Sequence, residues 1–229
     1  MVRCPCLLLA AIAAACGRAG YDPLAGEGDG GGLADASGRE GDASVFTAGE
    51  AGADTFLASS DRGLNFGGLG VLRTADAPAA TILLRFDLGE VAPGAVALAA
   101  TLTVWTSDGA QDPSGVRIYR VFEDWLEGGE SGAPGAASWD DRMPDEPWSG
   151  PGCGVGSRDA AARAEVAIDA PATRYQVELP ASVVQGWVDQ PGSNFGLALV
   201  ARSGSGIELV SSQAGDMARR PSLAVEWAP

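Results

Sequence analysis

The chain contains no histidine and no lysine, so its 15 basic residues are all arginine, against 30 acidic residues. Without histidine, Ser-His-Asp and Cys-His catalysis are excluded, as are imidazole-ligated metals and an unperturbed general base near neutral pH. An enzyme of this composition would have to work with carboxylates, tyrosine or arginine. The net charge of −15 also argues against nucleic acid as a partner, because nucleic-acid binding depends on clustered cations.

Long apolar runs are also missing, since no stretch approaches the roughly 18 residues that a membrane-spanning helix needs. The first residues, MVRCPCLLLAAIAAAC, instead have the layout of a secretory signal. Their end, IAAAC, resembles the lipobox of bacterial lipoproteins, in which the cysteine receives the lipid. We therefore predict a signal peptide over residues 1–15 and a lipid on Cys16, which would hold the protein at the cell envelope, on the outer membrane or cell surface. Ordinary signal cleavage and free secretion is the alternative.

Cysteine is scarce after the signal peptide, where only Cys16 and Cys153 remain. A lipidated chain therefore has no pair of thiols for an intramolecular disulfide. Residues 16–52 are rich in glycine, alanine and acidic residues and show no apolar periodicity. This composition predicts a flexible tether that precedes a folded domain over residues 53–229.

Short apolar runs alternate with turn residues through the folded domain, at the spacing expected of an all-β sandwich. The predicted strands are Thr55–Ser59, Val71–Thr74, Thr81–Leu88, Ala97–Thr106, Val116–Phe122, Ala164–Ile168, Arg174–Leu179, Gly196–Arg202, Ile207–Ser211 and Ser222–Trp227. The segment PASVVQGWVDQPG has helical spacing, with Trp187 on its apolar side, and predicts one short helix. Residues 123–163 have no regular pattern and predict a long loop, which is either functional or packed over the core.

The tripeptide Asn-Phe-Gly occurs at residues 65–67 and again at residues 194–196, each time just before a predicted strand. Asparagine and glycine tolerate positive φ, and the phenylalanine between them can fill the edge of a sandwich. We interpret both sites as corners of the fold and not as binding loops.

A set of short motifs resembles the DNRLRE domain family, which is similar to alginate-binding carbohydrate-binding modules and to the repeats of disaggregatase-related proteins. In order, the motifs are DTFLASS, NFG, LLRFDL, ATLTVW, IYRVFEDW, SWDDRMP, VVQGWV with NFGLAL, and RRPSLAVEW. The resemblance covers about residues 54–227 and implies a jelly-roll β-sandwich that binds acidic polysaccharide without catalysis. The chain departs from the family in having no lysine and a strongly acidic surface, so affinity for an acidic glycan does not follow.

Outward-facing arginines and aromatics are the candidate glycan contacts. Arg85 and Asp87 lie two residues apart on one strand face, where Arg85 is a candidate ligand contact or a structural ion-pair partner. Trp105 shares its face with Thr101 and Thr103, a polar and aromatic strip on which a sugar ring can stack; burial under the long loop is the alternative. The remaining candidates are Tyr119, Arg73 and Arg202.

Two further sets of residues are candidates for calcium binding and for catalysis. The acidic cluster Asp140, Asp141, Asp145 and Glu146 supplies oxygen ligands, although a solvated acidic turn fits its irregular spacing better. Asp54 is a second possible calcium ligand by analogy with other jelly rolls. The pairs Tyr119–Arg120 and Arg174–Tyr175 are the nearest approach to a lyase site, but they lie in ordinary strands.

We therefore expect a monomeric, non-catalytic polysaccharide-binding lipoprotein, with a structural or adhesive envelope protein that binds another protein as the alternative.

Overall fold

The computed structural model describes residues 42–48, 52–109, 111–204 and 206–228 of the 229-residue chain. The predicted signal peptide, the lipidation site Cys16 and most of the predicted tether lie outside these residues. The described strands are β1 Asp42–Thr47, β2 Ala53–Ala58, β3 Val71–Thr74, β4 Ala80–Arg85, β5 Val96–Trp105, β6 Ser114–Arg120, β7 Asp141–Met143, β8 Glu146–Pro147, β9 Ala164–Ile168, β10 Arg174–Leu179, β11 Leu197–Ala201, β12 Ile207–Val210 and β13 Ser222–Ala228. One α-helix, α1, spans Ala181–Asp189, and no helix in the described ranges is long and apolar enough to span a membrane.

Two antiparallel sheets form the sandwich. Sheet 1 has the strand order β1-β13-β5-β10, and sheet 2 has the order β2-β4-β11-β6-β9. Two small sheets, β12-β3 and β7-β8, complete the described strands. The prediction of an all-β sandwich is confirmed, and each of the ten predicted strands matches an observed strand within a few residues.

The connectivity is that of a jelly roll. Leaving out β2 and the two small sheets, the chain visits β1, β4, β5, β6, β9, β10, β11 and β13 in turn. The first of these eight strands pairs with the last in sheet 1, and the second pairs with the seventh in sheet 2. This nesting of two Greek keys is the arrangement that gives a jelly roll its two four-stranded layers, to which β2 adds a fifth strand beyond β4.

The main core lies between the two sheets and follows from the period-two pattern of the strands. In β13, Leu223, Val225 and Trp227 point inward and are buried, whereas Glu226 is exposed. The same alternation in β5 buries Leu102 and Val104. Each such side chain contributes about 1.5–3 kcal/mol by leaving water, so the register of these strands is strongly specified.

The helix α1 packs against β5, as its apolar spacing predicts. Its buried residues are Val183, Val184 and Trp187. Gln185 ties the helix to the strand, because its Oε1 accepts a hydrogen bond from the Ala97 N–H at 2.8 Å. Pro180 stands at the helix start, where its missing N–H costs no intrahelical hydrogen bond.

The strand β1 differs from expectation, because Asp42–Thr47 falls within the predicted tether, residues 16–52. Its six residues pair with β13 along their whole length, from Asp42 opposite Trp227 to Thr47 opposite Ser222. The segment was missed because a single short alternation, DASVFT, is embedded in glycine-rich and acidic sequence. The sandwich therefore begins before residue 53.

Residues 123–163, which we call the covering segment, lie across the outer face of sheet 2. Trp125, Trp148 and Cys153 of this segment are buried against a second apolar cluster that includes Leu57 and Leu83 of the sheet. Burial raises the pKa of the Cys153 thiol to about 12, so this cysteine is a packed core residue with little thiolate character. Of the two predicted roles for the loop, packing over the core is the one that the structure shows.

The two Asn-Phe-Gly sites are corners of the fold, and their asparagines act through hydrogen bonds. Asn65 Nδ2 donates to the backbone oxygens of Glu127 (2.6 Å) and Ala137 (2.9 Å), which fixes the covering segment. Asn194 Nδ2 donates to the Phe86 oxygen at 2.8 Å. Gly196 has φ +81°, and a Cβ there would lie 2.0 Å from the Leu84 oxygen, so only glycine fits.

Candidate functional site: the open face of sheet 1

Arg85 and Tyr119, two of the predicted glycan contacts, lie on the outer face of sheet 2 and are engaged by the covering segment. Arg85 Nη1 lies 2.7 Å from Asp124 Oδ1, and its guanidinium lies 5.0 Å from the centre of the Trp125 ring. The guanidinium of Arg158 lies 4.0 Å from the centre of the Tyr119 ring. Arg85 is thus a structural ion-pair partner, and its partner is Asp124 instead of Asp87.

Three further candidates lie apart from one another. Asp87 follows β4, is exposed, and accepts a hydrogen bond from the Gly89 N–H at 2.8 Å. Arg73 lies opposite Glu208 in the pairing of β3 with β12. Arg202 Nη1 pairs with Glu165 Oε1 at 2.9 Å at an exposed position beside β6 and β9. The six predicted residues therefore do not line one groove.

Trp105 is the candidate on the outer face of sheet 1, which no segment within the described ranges covers. It ends β5 on the outer face of sheet 1 and lies directly opposite Arg174 of β10. Its ring is half-buried, and the Arg219 guanidinium lies 5.5 Å from the ring centre. Arg219 is itself held by Asp108 Oδ1 (2.8 Å) and by the Thr106 backbone oxygen (2.7 Å). The Trp105 indole therefore has one guanidinium against its ring and lies opposite a second arginine, Arg174, in the strand register.

Rows of small polar residues continue from Trp105 across the sheet. Thr103 lies between Ser222 of β13 and Gln176 of β10 in the pairing registers. In the next row, Thr101 lies between Ala224 and Glu178. We call this surface the open face; its members are half-buried or exposed, and they are Thr101, Thr103, Trp105, Arg174, Gln176, Glu178, Ser222 and Ala224. Its hydroxyl, amide and carboxylate groups can exchange hydrogen bonds with sugar hydroxyls.

Arg174 is the residue of the open face that sequence reasoning missed as a glycan contact. It is exposed, and its guanidinium forms no ion pair or side-chain hydrogen bond with the residues that the structure describes. Most other described arginines are paired with a carboxylate, as Arg85 and Arg202 are. The alternation in RYQVEL places Arg174 outward, but its position beside Trp105 depends on the pairing of β10 with β5, which a single sequence does not reveal.

The two tyrosine–arginine pairs do not form joint sites. Neighbouring residues in a strand point to opposite faces, so Tyr175 turns away from Arg174. The Tyr175 hydroxyl accepts from the Ala170 N–H at 2.9 Å and donates to Asp169 Oδ1 at 2.9 Å, which clamps the turn before β10. Tyr119 is stacked under Arg158, while the N–H of Arg120 donates to Asp159 Oδ2 at 3.2 Å. Both tyrosines have structural contacts in these positions.

The acidic cluster in the covering segment surrounds the turn between β7 and β8. Asp140 is paired with Arg62, and Glu146 is paired with Arg142. Asp145 has φ +62°, a conformation that aspartate adopts in tight turns. In the described ranges, no group of three or more acidic or cysteine side chains is arranged to hold a metal ion. These contacts fit the solvated acidic turn that the sequence favoured.

Asp54, the other candidate calcium ligand, is buried and lies beside the half-buried Glu127. Its Oδ2 accepts from the Ser212 N–H at 2.6 Å, whereas its Oδ1 is buried without a hydrogen-bond partner among the described residues. The Asp54 N–H donates to Glu127 Oε1 at 2.8 Å. Burial raises the pKa of Asp54 to about 7 and also raises the pKa of Glu127. The pair joins β2, the covering segment and the residues after β12.

No protein-family model and no curated protein matches the chain. The predicted membership of the DNRLRE family therefore stays a prediction.

Proposed function

We propose that this protein is a non-catalytic polysaccharide-binding protein that is held at the bacterial cell envelope by a lipid on Cys16 and contacts its ligand with the open face. The observation that carries the proposal is the pairing of Trp105 with the unengaged Arg174 at the end of an uncovered row of polar residues. The resemblance to the DNRLRE family points to the same class of ligand.

The chemistry of the open face suits an extended polymer. The solvent-exposed part of the indole can pack against the C–H surface of a sugar ring. Neighbouring hydroxyl and amide groups can form hydrogen bonds with the hydroxyls of the sugar. Successive residues of β5 rise about 3.3 Å each, so the rows from Trp105 to Thr101 extend over about 13 Å. This length accommodates a chain of sugars and not only a single ring.

Affinity gel electrophoresis with alginate, pectin and a bacterial exopolysaccharide tests the proposal. Wild-type protein is expected to be retarded by at least one polymer, and Trp105→Ala and Arg174→Ala are each expected to weaken that binding about five- to tenfold. Arg202→Ala is the matched control, because it removes another exposed arginine, on sheet 2. Unretarded migration on every polymer, or equal retardation of all four proteins, would refute the assignment.

The anchor is tested separately by detergent phase partitioning of protein expressed with its own leader. The wild-type protein is expected in the detergent phase and Cys16→Ser in the aqueous phase, because one thioether-linked lipid group decides the partition. If both proteins partition into water, the lipoprotein part of the proposal is wrong.

A further inference from the structure

A groove runs between β1 and the connection from β4 to β5. It has a volume of about 690 Å³ and is lined by most of β1, by Asp87 and residues 90–95 of the connection, and by Trp227 and Ala228. The strand β1 is the last strand of sheet 1, and within the described ranges no strand pairs with its other side. The groove therefore lies beside an open sheet edge.

The hydrogen-bond directions of β1 show which of its groups face this edge. The Ala48 N–H donates to the Pro221 oxygen at 3.0 Å, which continues the register in which Thr47 lies opposite Ser222. In an antiparallel ladder, alternate residues direct their N–H and C=O groups toward the partner and away from it. The backbone groups of Ala43, Val45 and Thr47 accordingly point to the open edge, where an added strand can pair with them.

The charge of the groove selects the kind of segment that fits there. Asp42, Asp87 and Glu90 line it, and none of the arginines that the structure describes does. The Asp42 and Glu90 carboxylates form no ion pair with described residues, and Asp87 accepts a hydrogen bond only from the Gly89 N–H. Val45, which is 68% exposed, supplies an apolar contact. A second copy of this chain would bring the same acidic strand to the edge, and its like charges would oppose pairing.

We propose that the edge of β1 binds an extended, basic segment of another protein as an additional strand of sheet 1. Backbone hydrogen bonds to Ala43, Val45 and Thr47 hold the segment, and its cationic side chains meet the three carboxylates. This site lies on the edge of sheet 1, not on its open face, so the inference does not depend on glycan binding.

Fluorescence anisotropy with a labelled nine-residue peptide of alternating arginine and valine tests this pairing on the full chain. Wild-type protein is expected to bind the peptide, and Val45→Pro is expected to raise Kd at least about tenfold, because proline removes the central donor and disrupts pairing beside it. The Val45 N–H has no partner within the sheet, so the variant is expected to keep the pairing of β1 with β13. The melting temperature of the variant checks this. The same peptide with every backbone amide N-methylated keeps its charges and is expected not to bind.

The contribution of charge is tested by Asp42→Asn combined with Glu90→Gln, which is expected to weaken binding about three- to tenfold at low salt. Glu130→Gln combined with Asp145→Asn removes the same charge from exposed positions of the covering segment on sheet 2 and is the control that should leave Kd unchanged. Equal binding of the N-methylated peptide, or equal loss in both double variants, would show general attraction of cations and overturn the proposal. Absence of peptide binding by the wild-type protein would also overturn it.

Discussion

The two outer faces of the sandwich differ in their exposure to solvent, although both belong to antiparallel sheets with alternating side chains. The outer face of sheet 2 is covered by residues 123–163, and its row of Thr55, Leu83 and Ala198 is fully buried. The corresponding rows of sheet 1, such as Thr103 with Gln176, remain exposed to water. The difference separates residues that stabilise the fold from residues that are free to contact a ligand. An outward-facing arginine or aromatic residue is a candidate contact only on the face that is not covered.

A matched pair of tryptophan substitutions tests this comparison most strongly. Trp125 is buried on the covered face, and its Nε1 donates to the Phe195 oxygen at 2.8 Å. Trp125→Ala is expected to lower the free energy of unfolding by about 3–5 kcal/mol, because it leaves a cavity and an unpaired carbonyl. Trp105→Ala on the open face is expected to cost about 1 kcal/mol or less while it weakens polysaccharide binding. Urea unfolding of both variants measures the difference, and equal losses would show that the two faces are not distinct.

The individual strands and the helix were predictable from the sequence, whereas the pairing between them was not. Ten strands and α1 follow from apolar spacing because each buries one side against the core. The nearness of Trp105 to Arg174 depends on a register between residues about 70 positions apart, and no local pattern encodes it. The ion-pair partner of Arg85 was not predictable for the same reason, because Asp124 comes from a segment without regular structure.

The Asn-Phe-Gly repeat shows where a local motif carries information about the fold. Its glycine at 196 is required by backbone contact, so the motif predicts a corner. The same tripeptide does not predict that Asn65 fastens the covering segment through Glu127 and Ala137. That role depends on which loop passes over sheet 2, and the sequence indicates only that three tryptophans in this loop need burial.

The buried Asp54 carboxyl, beside the half-buried Glu127 of the covering segment, makes the stability of this region sensitive to pH. The pKa of Asp54 is raised from 3.8 to about 7 in the folded protein, chiefly by burial, with Glu127 raising it and Arg220 lowering it. Between these values the folded state binds a proton that the unfolded state has released, so stability falls as pH rises through this window. From about pH 5 to 8, this carboxyl is expected to remove about 2–3 kcal/mol from the free energy of unfolding.

Asp54→Asn is therefore expected to flatten the decline in stability between about pH 5 and 8, since the amide does not titrate. Urea unfolding of both proteins at several pH values measures this decline. The carboxyls whose pKa values are lowered, Glu123, Asp159 and Glu165, change stability in the opposite direction and below this window. Asp61→Asn, at an exposed turn, is the control. An unchanged pH profile in Asp54→Asn would mean that this carboxyl is ionised throughout the range.

A pair of threonine substitutions gives the smallest effect and the finest test of the comparison. The Thr55 hydroxyl is buried on the covered face and has no hydrogen-bond partner among the described residues. Thr55→Val keeps the shape of the side chain and removes this desolvated hydroxyl, so it is expected to stabilise the protein by about 1 kcal/mol. Thr103→Val on the open face is expected to change stability by less than about 0.5 kcal/mol, because water already satisfies its hydroxyl. A loss of stability in Thr55→Val would mean that the hydroxyl has a hydrogen-bond partner beneath the covering segment. Water would then reach this face, and the contrast with the open face would be weaker.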